Sequence, residues 1–176
     1  VDRRKEVDVI RAVAAYLAVL VMSVLPAGAG TLSDPTGPVV LTVTGKIGNG
    51  NTSGVAAFDL EMLEAMGTAE ITTSTIWTSG LVTFTGVRLA KLLEHVDAQG
   101  STLEATAINN YSIAIPISDA TDDGPIIAYL RDGKHMSIRD KGPLWIIYPY
   151  DQSAAYQTEL IYSRSIWQLD RIVVAD

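Results

Sequence analysis

The sequence has no cysteine among its 176 residues. That absence removes disulfides, thiolate metal sites, iron–sulfur clusters and cysteine nucleophiles together. Histidine is nearly as scarce: His95 and His135 fall in different segments and form no HExxH or other paired-histidine pattern. No GxSxG elbow occurs, so a serine nucleophile has no local support. Basic residues are the minority, 13 against 20 acidic ones, for a net charge of −7. A nucleic-acid-binding face needs the opposite balance. Long apolar runs are missing except for residues 12–25, AVAAYLAVLVMSVL, which fall short of the about 20 residues a spanning helix requires.

What is present begins with that run. Arg3, Arg4 and Lys5 precede it, Pro26 breaks it, and Ala27-Gly28-Ala29 has the small-residue pattern of a signal-peptidase site. Residues 1–29 are expected to be a cleaved signal peptide, giving a periplasmic or secreted bacterial protein with no stable membrane anchor. The Arg3-Arg4 pair is followed by Glu6 and Asp8 where a twin-arginine signal carries apolar residues. Without residues 1–29 the chain keeps 9 basic and 17 acidic residues, a net charge of −8. At 48% hydrophobic and 19% charged, the remainder suits one domain held by core packing.

Residues 30–37, GTLSDPTG, are turn-rich and predict a mobile lead-in to a domain over 38–176. Residues 38–46 alternate Val and Leu with Thr and predict a strand. In residues 58–66, Leu60, Leu63 and Met66 recur at helical spacing, with Asp59 placed to cap the start and Gly67 to end it. Residues 70–76 suit a strand, and 87–96 predict a helix with Val87, Leu89, Leu92, Leu93 and Val96 on one face. Further strands are predicted over 102–108, 111–117, 125–130, 136–138, 143–148 and 166–174, with a hairpin turn at Asp132-Gly133. Strands dominate without a βαβ rhythm, so the fold class is α+β: a single domain with a mixed β-sheet and flanking helices.

Local chemistry is sparse. Lys46 precedes the glycines of GKIGNGNTSG, whereas a phosphate-binding lysine must follow them, so the segment reads as a flexible turn. The acidic stretch from Asp119 to Gly124 starts like a calcium loop but has Leu130 where the bidentate glutamate belongs, and reads as a polar turn.

Several phrases nevertheless stand in a suggestive order: LTVTGKI, FDLEMLEAM, TTSTIW, FTGVRLAKLLE, ATAINNYSIAIPISDA, DGKHMSIRDKGPLWIIYP and SIWQLDRIVV. Together, over residues 39–174, they resemble the molybdopterin-binding domain of the sulfite oxidase family in a short, exported bacterial form. The resemblance implies an α+β fold around a pterin-binding cleft, with redox-active members holding molybdenum through the pterin dithiolene and one cysteine thiolate. This chain has Thr72, Thr73, Ser74, Thr75 and Ile76 across the region of that cysteine. A hydroxyl is a harder and far less acidic donor than a thiol. Trp145 stands after Gly-Pro-Leu where catalytic members tend to carry arginine, and Asn109-Asn110-Tyr111 replaces an Asp-Gly-Tyr. The loss of the arginine removes a fork suited to oxyanions.

The expected function is therefore a non-catalytic module that binds a small polar ligand or senses one. Its candidate ligand- or cofactor-binding residues are Trp77, Asn109, Asn110, Tyr111, Arg139 and Trp145. No catalytic or metal-ligating residue is assigned. No cofactor is expected, molybdopterin being the one group the resemblance would bring. The alternatives are a molybdopterin-dependent oxidoreductase with a non-cysteine metal environment, and a secreted domain that meets a protein partner through aromatics ending in Trp167.

Overall fold

The computed structural model describes residues 32–176, so the expected signal peptide lies outside the described residues. No helix among them is long and apolar enough to cross a membrane. The fold is α+β, built on two sheets.

The first sheet has the order β2-β1-β10-β5-β6. Its strands are β1 (Leu41–Gly45), β2 (Val55–Phe58), β5 (Thr102–Ala107), β6 (Ser112–Pro116) and β10 (Leu169–Ala175). In β1 the alternation LTVTG buries Leu41 and Val43 and turns the threonines toward the surface. β1 runs parallel to β10, and the other pairs are antiparallel, so this sheet is mixed. The second sheet is antiparallel: β3 (Ala69–Thr73), β4 (Val82–Arg88), β7 (Ile126–Arg131) and β8 (Lys134–His135), with β9 (Trp145–Ile147) also pairing β7. Asp132 (φ 48°) and Gly133 (φ 73°) turn β7 into β8 with two positive φ angles, as the Asp-Gly signal predicts. Between β4 and β7 the register shifts at Gly86, where a Cβ would lie 2.2 Å from the Ile127 carbonyl oxygen. Only glycine lets the strands approach there.

Among the described residues, three short α-helices accompany the sheets. In α1 (Leu60–Ala65) the Asp59 carboxylate accepts from Met62 N at 2.9 Å, the predicted cap. The same carboxylate accepts from Gly37 N (2.7 Å) and Thr36 N (2.8 Å), and these bonds, Gly37's foremost, hold its pKa below the usual carboxylate range. Those contacts fasten to the body the lead-in that sequence composition marks as mobile. α2 (Leu89–His95) buries Leu89, Leu92 and Leu93. α3 (Glu159–Arg164) is capped by Thr158, whose hydroxyl accepts from Ile161 N.

Three expectations need correction. The helix predicted from Val87 begins at Leu89, because Val87 and Arg88 are the end of β4 and pair with Ile127 and Ile126 of β7. Phe58 ends a strand rather than starting a helix. The strand expected over 136–138 is instead β8 at Lys134–His135, followed by a 3-10 turn at Ile138–Asp140.

Candidate functional site

The two sheets are stitched where β9 meets the segment leading into β10. Ile146 N donates to the Ile166 carbonyl (2.9 Å), Leu169 N donates to the Leu144 carbonyl (3.0 Å), and Trp145 bridges Trp167. A cavity of about 440 Å³ opens beside this seam, within the size range of small-molecule sites. Four segments line it. Trp77 comes from the loop after β3, while Ala107, Asn109 and Tyr111 come from the β5–β6 turn. Tyr162, Ser163 and Ser165 come from the end of α3, and Ile166 and Trp167 from the approach to β10.

Trp77 organises the aromatic wall. Its ring lies edge-on to Trp145 (5.6 Å), Tyr162 (5.7 Å), Trp167 (5.8 Å) and Tyr150 (6.3 Å), the T-shaped geometry that ring quadrupoles favour. Trp145 is fully buried behind that wall, and its indole N–H donates to the Ser165 carbonyl at 3.1 Å. Tyr150 is buried beside it and donates to Ser165 Oγ at 2.6 Å, while Ser165 Oγ donates to the Ile161 carbonyl at 2.8 Å. Burial pushes the Tyr150 phenol well above its ordinary pKa, so it stays protonated.

The β5–β6 turn is closed by mutual bonds between Ala107 N and the Tyr111 carbonyl and between Asn110 N and the Ala107 carbonyl (each 2.9 Å). Asn110 takes φ 67° at the tip, a left-handed conformation that asparagine tolerates better than most side chains. Its Oδ1 accepts from the Arg171 guanidinium, which fixes the turn against β10. Asn109 Oδ1 accepts from Tyr111 N at 3.0 Å.

The six sequence candidates therefore separate. Trp77, Asn109 and Tyr111 converge on the cavity. Asn110 shapes the turn beside it and engages Arg171. Two positions need correction as lining residues. Trp145 packs in the core between Phe84 (5.4 Å) and Trp77, because its position on β9 points it between the sheets. Arg139 sits exposed on the Ile138–Asp140 turn, away from the lining. Tyr162, Ser163, Ser165 and Ile166 were missed by the sequence reading. A six-residue helix is too short to show periodicity.

The threonine–serine segment is engaged throughout. Thr72 Oγ1 pairs with Thr83 Oγ1 (2.9 Å) and Thr75 Oγ1 with Thr78 Oγ1 (2.8 Å). Asp151 clasps the middle: its carboxylate accepts from Ser74 N (2.5 Å) and Ser74 Oγ (2.7 Å), and its own N–H donates to Thr73 Oγ1 (3.2 Å). The Ser74 N–H above all holds the Asp151 carboxyl below the usual range. Among the described residues no cluster of three or more His, Asp or Glu side chains could hold a metal. No carboxylate, ammonium, guanidinium or imidazole lines the cavity.

The sequence model for the oxidoreductase molybdopterin binding domain matches residues 57–157. No curated protein sequence matches the chain. Among solved structures, the sulfane dehydrogenase SoxCD from Paracoccus pantotrophus superposes with a TM-score of 0.60 at 18% identity, over 85% of this chain and 41% of that one. At that identity the likeness shows the fold, and the chain spans less than half the length of its structural relative.

Proposed function

The chain belongs to the oxidoreductase molybdopterin binding domain family, and from that premise we propose that it is a non-catalytic member that binds a small polar ligand. The supporting observation is the cavity closed by Trp77, Tyr162 and Trp167, with Asn109 and Tyr111 at its edge. Aromatic walls with a few placed polar groups are the usual make-up of a small-molecule site.

The donor set does not fit a protein-bound molybdenum. The metal's expected anchor falls within residues 72–76, where the chain has hydroxyls instead of a thiolate, and each hydroxyl is engaged with Thr83, Thr78, Asp151 or the Ser74 carbonyl. A neutral hydroxyl already hydrogen-bonded is a poor soft-metal ligand. No redox step is therefore assigned to these residues. The apolar run at 12–25 supports a site of action in the periplasm or outside the cell.

The test is elemental analysis of the protein purified from a host that makes the pterin in excess. The expected molybdenum content is far below one metal per chain. Stoichiometric molybdenum would overturn the non-catalytic reading in favour of an oxidoreductase with a non-cysteine metal environment.

A further inference from the structure

We propose that the cavity at the sheet seam selects a ring-bearing ligand that carries no positive charge and presents a hydrogen-bond acceptor to Asn109. The proposal rests on the binding role inferred for this site and names the chemistry of what it binds.

Three independent features converge on that class. The first is the lining. Two indoles and two phenols contribute to it, and no ionisable carboxylate, ammonium, guanidinium or imidazole does. Rings stack on such walls, whereas a cation entering them would leave water with no carboxylate to meet it. The second is Lys141. It takes φ 74° at the end of the Ile138–Asp140 turn and sets its ammonium 4.1 Å from the Trp167 ring centroid. Trp167 therefore already serves an intramolecular cation. A cationic ligand would meet Lys141 repulsion at the ring it most needs, so the aromatic wall is not a trap for ammonium groups. The third is Asn109. Because Tyr111 N can donate only to an oxygen, the Asn109 amide is fixed with Oδ1 in the turn. What it retains for a ligand is its NH2, a donor that calls for an acceptor such as a neutral carbonyl or ring nitrogen. Ser165 adds no competing demand, since its hydroxyl both accepts from Tyr150 and donates to Ile161.

The chain offers its own reporters. It has three tryptophans, Trp77, Trp145 and Trp167; two line the cavity, and the third lies behind it with its N–H bonded to the Ser165 carbonyl. Full-length protein labelled with nitrogen-15 would be titrated with nicotinamide and the cationic N1-methylnicotinamide. These share one pyridine ring and differ in charge. The expected result is saturable movement of the Trp77 and Trp167 indole N–H signals with nicotinamide, a nearly still Trp145 signal, and an affinity for the cationic probe weaker by roughly tenfold or more. The Trp167→Ala variant, checked for a far-ultraviolet circular dichroism spectrum like the parent's, should lose the Trp77 response. Equal or tighter binding of N1-methylnicotinamide would overturn the ligand class and leave the binding role standing. No response of either cavity indole to any probe would overturn the assignment of this cavity to ring-bearing ligands. Molybdenum content decides the non-catalytic reading separately.

Discussion

Replacing Trp145 by arginine, the residue catalytic relatives tend to carry after Gly-Pro-Leu, is expected to unfold the domain rather than equip the cavity with a cation. Trp145 is the largest fully buried side chain, in edge-on contact with Phe84, Trp77 and Trp167, and its N–H satisfies the Ser165 carbonyl. Removing a core tryptophan costs about 3–5 kcal/mol. A guanidinium left in its place without a carboxylate adds several kcal/mol more, on the order of 3 or above. Together these approach the whole stability of an ordinary domain, about 5–15 kcal/mol. Trp145→Phe serves as the control. It keeps a ring, loses the N–H, and should cost about 1–3 kcal/mol by stranding the Ser165 carbonyl. Urea denaturation followed by far-ultraviolet circular dichroism measures both. Trp145→Arg should be largely unfolded without denaturant, whereas Trp145→Phe should unfold at a moderately lower midpoint with an unchanged slope. An arginine variant with a midpoint close to that of the parent would refute the reasoning, because the guanidinium would then have a path to water through the cavity wall.

Other outcomes follow from single contacts. Tyr148→Phe removes the phenol that donates to Asp119 Oδ2 at 2.8 Å, leaving that oxygen to Arg164 alone; the loss should be about 1.5–3 kcal/mol, read as a fall in Tm of about 3–12 °C. The Asp151 clasp should depend on pH in one direction. Its folded pKa is depressed, so its contribution is complete above the unfolded value of about 4 and disappears as pH falls through the lower folded value. Protection of the Ser74 amide, its exchange rate relative to the intrinsic rate at the same pH, should therefore persist at neutral and mildly acid pH and be lost in Asp151→Ala; protection retained in that variant would contradict the clasp. Gly86→Ala should prevent normal pairing of β4 with β7, since the added Cβ would stand 2.2 Å from the Ile127 oxygen. A wild-type melting curve for it would show that the strands can part there at little cost.

The parts of the fold legible in the sequence are those where one signal acts alone. Asp59 announces α1 because its carboxylate has a single helix to cap, and Asp132-Gly133 announces the β7–β8 turn because both residues must take positive φ. The β4 strand was hidden for the opposite reason. Val87 is buried as the helical residues are, and apolar spacing alone cannot say whether the burial comes from a strand end or a first helical turn. The site divides the same way. Trp77, Asn109 and Tyr111 stand out by residue type and do meet in the cavity. Trp145 stands out equally, yet β9 turns it inward, and only the pairing of that strand reveals which face it takes. The wall from α3 depends on a chain return that brings residues 162–167 against Trp77, a long-range contact with no local trace.

One feature of the first sheet reaches beyond binding, to the order of assembly. β10, the latest strand in the described sequence, is its centre, parallel to β1 on one side and antiparallel to β5 on the other. Until residues 169–175 have been synthesised, β1 and β5 have no neighbour to join them, and the sheet exists only as two separate hairpins. Closing it brings together strands more than a hundred residues apart, a topology that folds slowly because distant loops must be ordered before any pairing rewards them. A ribosome-bound chain that has not yet released β10 therefore cannot complete this sheet. The same strand that closes the seam beside the cavity also delays completion of the first sheet until residues 169–175 have been made.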